Sequence, residues 1–237
     1  MMMECSEAAY ASYSVSRAPH RAKRDRTASS CLKGLRLIAI LVGMLATGTT
    51  QADPLLSGTA LVTSLRQGGY VLLMRHASSP ATPPTAGIAE FGNTKLERQL
   101  DEIGRSSAQA MGRAIKTLSI PVGEVWSSPT YRALETVHLA GLPNPTTAVE
   151  LGDGGQSMQA ISKGQAAWLQ AKVAERPRAG TNTIIVTQYP NIQEAIGQNA
   201  SGLTEGDALI VRPGDAGADE IVGRVKIEEW PTLASQR

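Results

Sequence analysis

Cysteine and long apolar runs are scarce in this chain, and each shortage excludes a class of protein. The only two cysteines, Cys5 and Cys31, lie within the first 52 residues, so the rest of the chain can form neither a disulfide bond nor a cysteine metal site. The apolar run at residues 37–46 is well short of the about 20 residues that span a membrane. The sequence therefore predicts a domain that depends on an apolar core rather than on a disulfide framework.

Excess charge of either sign is also lacking, and the sign of the small net charge depends on the leading segment. The whole chain has 23 Lys and Arg against 21 Asp and Glu, whereas residues 1–52 hold 7 and 3 of these. The remaining 16 basic and 18 acidic residues leave residues 53–237 near −2. This balance gives no electrostatic argument for a nucleic-acid partner.

Residues 1–52 have the layout of a secretory signal peptide. A basic front precedes the apolar run, and the small residues Thr50 and Ala52 then stand two positions apart. We predict cleavage after Ala52 and export to the periplasm, which leaves residues 53–237 as one domain with a well-buried core. The same features leave open an uncleaved membrane anchor, a cytosolic tail, or a true start downstream of Met1.

Segments with helical periodicity alternate with short apolar segments of strand length along residues 53–237. Helices are predicted at 55–66, 101–118, 130–140, 158–175 and 192–197, and strands at 70–74, 125–126, 183–187, 208–211 and 220–227. The proline-rich stretch at 77–91 is predicted to be a surface loop. This alternation indicates a three-layer α/β/α sandwich with a mostly parallel central sheet.

Polar side chains follow three of the predicted strands directly. Arg75 and His76 end the first strand, Ser127 and Ser128 follow the second, and Gln188 follows the strand at 183–187. Ligands of such sheets bind at the carboxyl ends of the strands, so these groups are expected to converge at one edge.

The types of these residues predict a phosphate site with a nucleophilic histidine. Pro129 can occupy the first turn of the following helix and Ser127 or Ser128 can cap it, and a helix start favours an anion. Arg132 in the first turn can point back toward the strand ends, where it and Arg75 would clamp a tetrahedral phosphate against His76.

Several motifs in the same order resemble the histidine phosphatase superfamily, branch 1, whose members have the phosphoglycerate mutase-like fold. The matching segments are residues 73–77, 100–105, 109–110, 127–136 and 184–187. The resemblance implies that His76 is phosphorylated during turnover, that Arg75 and Arg132 bind the phosphoryl oxygens, and that no metal or cofactor takes part. The implied substrate is a small phosphorylated compound.

Two further residues follow from the resemblance. An acidic residue near the third helix should protonate the leaving group, with Glu150 as the first candidate and Asp153 as the second. The family places a second histidine after the strand at 183–187, where this chain has Gln188; its remaining histidines, His20 and His138, lie far away in the sequence. With Ser128, Gln188 is interpreted as a phosphate-binding residue, since a glutamine amide can still donate a hydrogen bond.

The sequence leaves three functions open. The first is a phosphomonoester hydrolase, of reduced activity because Gln188 cannot be positively charged. The second is a phosphate-binding or phospho-ligand-binding protein that no longer turns over, and the third is an envelope-anchored interaction protein. Taken alone, Arg75 and His76 favour a surface ion pair and a capped histidine, and Arg132 is compatible with an exposed partner of Glu135. His138 is interpreted as a surface or structural residue, and Trp126, Trp168 and Trp230 as packing residues.

Overall fold

The computed structural model of the protein describes residues 55–80, 97–152, 162–214 and 219–236. The predicted leader at 1–52, Asp153 and residues 81–91 of the predicted loop lie outside these ranges. Six helices and six strands are described. The helices are α1 (Gly58–Gln67), α2 (Glu102–Thr117), α3 (Tyr131–Leu139), α4 (Lys163–Val173), α5 (Tyr189–Ile196) and α6 (Trp230–Ser235). The strands are β1 (Val71–Arg75), β2 (Val122–Ser127), β3 (Thr146–Thr147), β4 (Asn182–Thr187), β5 (Ala208–Arg212) and β6 (Glu220–Val225).

The six strands form one mixed sheet in the order β3-β2-β4-β1-β5-β6. The pairings β3–β2, β2–β4 and β4–β1 are parallel, whereas β1–β5 and β5–β6 are antiparallel. The prediction of a mostly parallel sheet in an α/β fold is therefore confirmed. The two-residue strand β3, at the edge of the sheet, was not predicted because it is too short to have a pattern of its own.

Alternate side chains of the central strands point to opposite faces of the sheet and build two cores. Leu72 and Met74 of β1 pack with buried residues of α1, α2, α3 and α6 on one face. Val71 and Leu73 pack with buried residues of α4 and α5 on the other face. Helices therefore cover both faces, as the three-layer prediction requires. Trp230 is fully buried in the first core. Trp126 and Trp168 pack edge to face beside the second core, with their ring centroids 5.9 Å apart.

Several predicted boundaries change for identifiable reasons. Helix α1 begins at Gly58 rather than at residue 55, because Leu56 instead bridges to Gly223 on the edge strand β6. Helix α3 begins at Tyr131 with Thr130 as its N-cap, so the prediction of Pro129 in the first turn and a capping Ser127 or Ser128 is wrong. Helix α4 begins at Lys163, where Ser162 and Gln165 form a capping box. None of the described helices is long and apolar enough to cross a membrane.

The sheet register brings the predicted site residues to one edge. Arg75 pairs with Thr187 across β1 and β4, and Ser127 pairs with Val186 across β2 and β4. The residues that follow β1 and β2 are also hydrogen-bonded to β4. The His76 N–H donates to Thr187 O at 3.0 Å, and the Ser128 N–H donates to Val186 O at 2.8 Å.

Candidate active site

His76 and Arg132 meet directly in the interior of the protein. His76 follows β1 and is 2% exposed, while Arg132 is the second residue of α3 and is fully buried. The Arg132 Nε–H donates a hydrogen bond to His76 Nε2 at 3.1 Å. The exposed position considered for Arg132 is therefore excluded, and Glu135 pairs instead with Arg105 at 2.7 Å.

The partners of the His76 ring define its tautomer. Nδ1 lies 2.8 Å from the Ala77 carbonyl oxygen, which can only accept, and Nε2 faces Arg132 Nε, which can only donate. Nδ1 therefore holds the proton and Nε2 has the lone pair. Burial of the ring, together with the positive charge of Arg132, lowers the pKa of His76 well below its ordinary value; the Ala77 carbonyl opposes this shift, and Arg75 and Arg98 add to it. His76 is thus a neutral imidazole with its lone pair on Nε2.

Arg75 is the last residue of β1 and directly precedes His76. Its Nη2 contacts Glu205 Oε1 at 2.9 Å, and its guanidinium lies 5.8 Å from the centroid of the Tyr189 ring. Burial lowers the pKa of Arg75, while Glu205 opposes that shift and Arg132 adds to it. Arg75 has 22% of its side chain exposed, so it can reach an incoming ligand.

Glu205 and Arg98 are site residues that sequence reasoning missed. Glu205 accepts from the Ser79 N–H at 3.4 Å and lies 3.7 Å from Arg98 Nη2, in addition to its contact with Arg75. The loop that contains Glu205 is attached to the histidine itself, because the Gly206 N–H donates to His76 O at 2.9 Å. Glu205 precedes β5, which runs antiparallel to β1, so its position before that strand is the signal that could have placed it at this edge.

Arg98 is a buried arginine that holds the chain just after the histidine. Its Nε and Nη2 donate to the carbonyl oxygens of Pro80 and Ser79, at 2.5 and 3.0 Å. Arg75, Arg98 and Arg132 therefore place three positive charges around a neutral His76, with Glu205 as the carboxylate that contacts two of them. No pattern in the sequence distinguishes Arg98 from an exposed arginine.

The start of α3 is already bound to an internal carboxylate. The Tyr131 N–H, the first of the helix, donates to Glu97 Oε2 at 2.6 Å, and Glu97 is 2% exposed. The helix also supports the histidine loop, since the Ala77 N–H donates to Thr136 Oγ1 at 3.0 Å. The sequence suggested that this helix start binds an anion. At Tyr131 the bound anion is the carboxylate of Glu97.

Gln188 and Ser128 contact each other within the protein. Both are buried, and Gln188 Nε2 donates to Ser128 Oγ at 2.9 Å and to Thr130 Oγ1 at 2.7 Å. An amide has two N–H donors, so both are engaged in these bonds. A hydrogen bond from Gln188 to a phosphoryl oxygen would require one of them to be exchanged.

The two candidate proton donors are placed differently. Glu150 lies in the 3₁₀ turn Val149–Leu151 and is half-buried; the turn is attached to the strand ends, because Thr187 Oγ1 donates to Leu151 O at 2.8 Å. The Glu150 contact toward α5 is made by its main chain, whose carbonyl accepts from Asn191 Nδ2 at 3.2 Å. Asp153 lies outside the described residues. His138 is exposed on α3, as interpreted from the sequence.

No group of three or more His, Cys, Asp or Glu side chains among the described residues is arranged to hold a metal ion. The reactive group that these residues bring together is the neutral imidazole of His76 among arginines.

Residues 71–154 match the sequence model of the histidine phosphatase superfamily, branch 1. The resemblance found in the motifs is thereby confirmed, and the matched segment includes Arg75, His76, Ser128, Arg132 and Glu150. It ends before Gln188, so the replacement of a second histidine at that position stays a prediction. The comparison with curated proteins found no match.

Several solved structures are similar to this chain at low identity. The protein histidine phosphatase SixA complexed with tungstate is 18% identical, with 68% of this chain and 98% of that chain covered and a TM-score of 0.49. YhfR of Bacillus stearothermophilus is 15% identical, with 65% and 95% covered and a TM-score of 0.47. A phosphoserine phosphatase mutant of Entamoeba histolytica in complex with phosphoserine is 14% identical, with 67% and 98% covered and a TM-score of 0.46.

Proposed function

We propose that this protein is a phosphomonoester hydrolase that works through a phosphohistidine intermediate on His76. The observation that supports this most directly is the state of the ring: Nε2 is unprotonated and faces the guanidinium of Arg132, and the partly exposed Arg75 directly precedes His76 in the chain. A buried neutral imidazole among arginines is suited to attack an anionic phosphorus, because the cations stabilise the charge that would otherwise repel a nucleophile.

The reaction has two displacements at phosphorus. In the first, His76 Nε2 attacks in line, the P–N bond forms, and the P–O bond to the leaving group breaks with its electron pair on oxygen. Glu150 or Asp153 then protonates that oxygen. In the second, water attacks the phosphohistidine and gives a proton to the Glu150 or Asp153 carboxylate left by the first step, the P–N electrons return to Nε2, and orthophosphate leaves. Arg132 lies close enough to exchange its bond with Nε2 for one with a phosphoryl oxygen.

Gln188 sets the expected rate. A neutral amide at the position of the family's second histidine removes one charge-assisted donor, and loss of such a donor costs about 10² to 10³ in rate. Arg75, Arg132 and His76 remain, so we expect measurable but slow hydrolysis of phosphate monoesters.

The second candidate is a protein of the same fold that binds phosphate or a phospho-ligand without turning it over. The engagement of both Gln188 N–H donors within the protein favours it, since Gln188 then offers no free N–H to a bound phosphate.

Hydrolysis of an aryl phosphate by the purified protein separates the two functions. The enzyme requires that His76→Ala abolish hydrolysis, that His138→Ala retain it, that a chelator leave it unchanged, and that an acid-labile, alkali-stable phosphoryl group be trapped on the wild type. Thermal stabilisation by orthophosphate without hydrolysis supports the binding protein. Hydrolysis that survives in His76→Ala would refute the enzyme mechanism.

A further inference from the structure

Gln188 belongs to a buried cluster of polar side chains that contains no charge. The Ser128 hydroxyl donates to Thr130 Oγ1 at 3.1 Å, and the Thr130 N–H donates to Ser128 Oγ at 3.2 Å. The Gln188 amide donates to both hydroxyls, at 2.9 and 2.7 Å. All three side chains are at most 2% exposed, so each of these bonds is protected from water.

This cluster joins two elements that the site depends on. Gln188 follows β4 and is the N-cap of α5, whereas Ser128 and Thr130 form the connection from β2 to α3. Thr130 is the N-cap of α3, and Arg132 lies only two residues further along. Whatever holds Thr130 therefore holds the first turn of the helix that presents Arg132 to His76.

We propose that Gln188 is a positioning residue for Arg132: its amide holds the Ser128 and Thr130 hydroxyls and thereby keeps the first turn of α3 in register with His76. This inference rests on the proposed function, because it assigns a role within the same site. It replaces direct phosphate contact by Gln188 with an indirect role through the helix.

The number of donors explains why an amide suits this position. Two hydroxyl acceptors on one loop require two N–H groups on one atom, which a glutamine amide provides and an imidazole nitrogen does not. Histidine at position 188 would leave one hydroxyl without the N–H that Gln188 donates to it. We therefore expect Gln188→His to lower hydrolysis or leave it unchanged, although it restores the family's residue type.

The direct test is a double-mutant cycle between Gln188→Leu and Thr130→Val, both close to isosteric. Because both remove the same bond, we expect each to lower kcat/KM by about tenfold to 10²-fold, the range for a misplacement of about 1 Å, and the double variant to lose little more than either one. Thr130→Ser keeps the hydroxyl and should restore most of the loss. Gln170→Leu is the matched control, since that amide donates to Ala195 O at 2.8 Å on the opposite face of the sheet.

A second readout follows Arg132 without relying on turnover. The positive charge of Arg132 contributes to the low pKa of His76, together with Arg75 and Arg98. If Thr130→Val or Gln188→Leu lets the first turn of α3 move, the pKa of His76 measured by NMR should rise toward its ordinary value. In Gln170→Leu it should stay as in the wild type.

The outcomes separate this inference from the proposed function. Additive effects, an unchanged His76 pKa, or a gain of hydrolysis in Gln188→His would overturn the positioning role while the wild-type enzyme still worked. Loss on Gln188→Leu with no loss on Thr130→Val would instead indicate direct phosphate contact. A wild type that neither hydrolyses aryl phosphate nor binds orthophosphate would overturn both conclusions together.

Discussion

At the scale of single residues, the protonation of His76 decides the chemistry. The ring is buried beside Arg132, and both the burial and the cation disfavour the imidazolium form. The same environment that keeps Nε2 unprotonated therefore lowers the free energy of unfolding when the pH falls. Activity and stability consequently depend on pH through one group.

Replacement of His76 by Asn should flatten the pH dependence of stability. Because the pKa of His76 is lower in the folded than in the unfolded chain, the unfolded chain binds more protons as the pH falls below about 6.5. The free energy of unfolding should then fall by up to about 1.4 kcal/mol per pH unit until the folded-state pKa is reached. Denaturant unfolding of wild type and His76→Asn measures the difference. A range from about pH 7 to about pH 5 covers the ordinary titration of histidine.

The exposed His138 provides the control for that experiment. A flattening seen also in His138→Asn would show that the slope is not particular to the buried ring. The lone pair on His76 Nε2, which the proposed mechanism needs, should stay available just below pH 6.5, because the pKa of His76 is lowered well below that value.

The charge of Glu205 should have a measurable effect on the affinity for orthophosphate. Its carboxylate contacts Arg75 at 2.9 Å and so competes with any anion for that guanidinium. We expect Glu205→Gln to bind orthophosphate about fivefold more tightly, since a partly exposed ion pair contributes up to about 1 kcal/mol. Calorimetric titration with orthophosphate gives the affinity, and product inhibition should increase in parallel.

Glu220→Gln is the matched control, because Glu220 pairs with Arg212 at 2.8 Å on the exposed edge of the sheet. Weaker phosphate binding by Glu205→Gln would mean that the carboxylate holds Arg75 in place rather than competing for it.

At the scale of elements, the crossing of α2 and α3 places Arg132. Gly112 of α2 faces the end of α3, and a Cβ atom at this position would overlap Ala140 O and lie 2.6 Å from Ala140 Cα. The two helices can approach this closely only without a side chain there. The position of α3 over β2 and β4 is therefore fixed at both ends, by Gly112 near its last turn and by Gln188 near its first.

Gly112→Ala should destabilise the protein by about 3 kcal/mol, the upper range for an overpacked core, because the overlap is with backbone atoms. Hydrolysis should fall as α3 is displaced. Gly164→Ala on the exposed side of α4 meets only Ser162 Oγ at 3.8 Å and should stabilise by about 0.5–1 kcal/mol through helix propensity. Thermal unfolding of the two variants compares them, and equal melting temperatures would contradict the close crossing.

At the scale of the whole molecule, both cores share the same central strands. Leu72 and Met74 belong to one core while Val71 and Leu73 belong to the other, so neither can be lost without exposing β1. We expect one cooperative unfolding transition, in which spectroscopic probes of the two faces coincide.

We propose that the protein is exported. When the full chain is produced in a Gram-negative bacterium, we expect the periplasmic form to begin at Asp53, directly after Ala52. Intact-mass measurement and N-terminal sequencing of that form check the position. Recovery of the full-length chain in the membrane fraction would favour the uncleaved anchor instead.

The sequence determined the α/β class, the order of the main elements and the identity of the central pair. Period-2 and period-3.6 patterns reflect local backbone geometry, and Arg75 and His76 end a strand whose apolar run is visible by itself. The parallel register then placed His76, Ser128 and Gln188 at one edge, as expected from strand order.

Only the tertiary structure decided what those residues contact. Glu205 and Arg98 reach the site from segments distant in sequence, and the Gln188 amide donates to two hydroxyls of the protein. Partners across more than 50 residues depend on how helices pack over the sheet, and a linear pattern does not encode that packing. The sequence by itself singled out His76, and long-range packing determined the charges and hydrogen bonds around it.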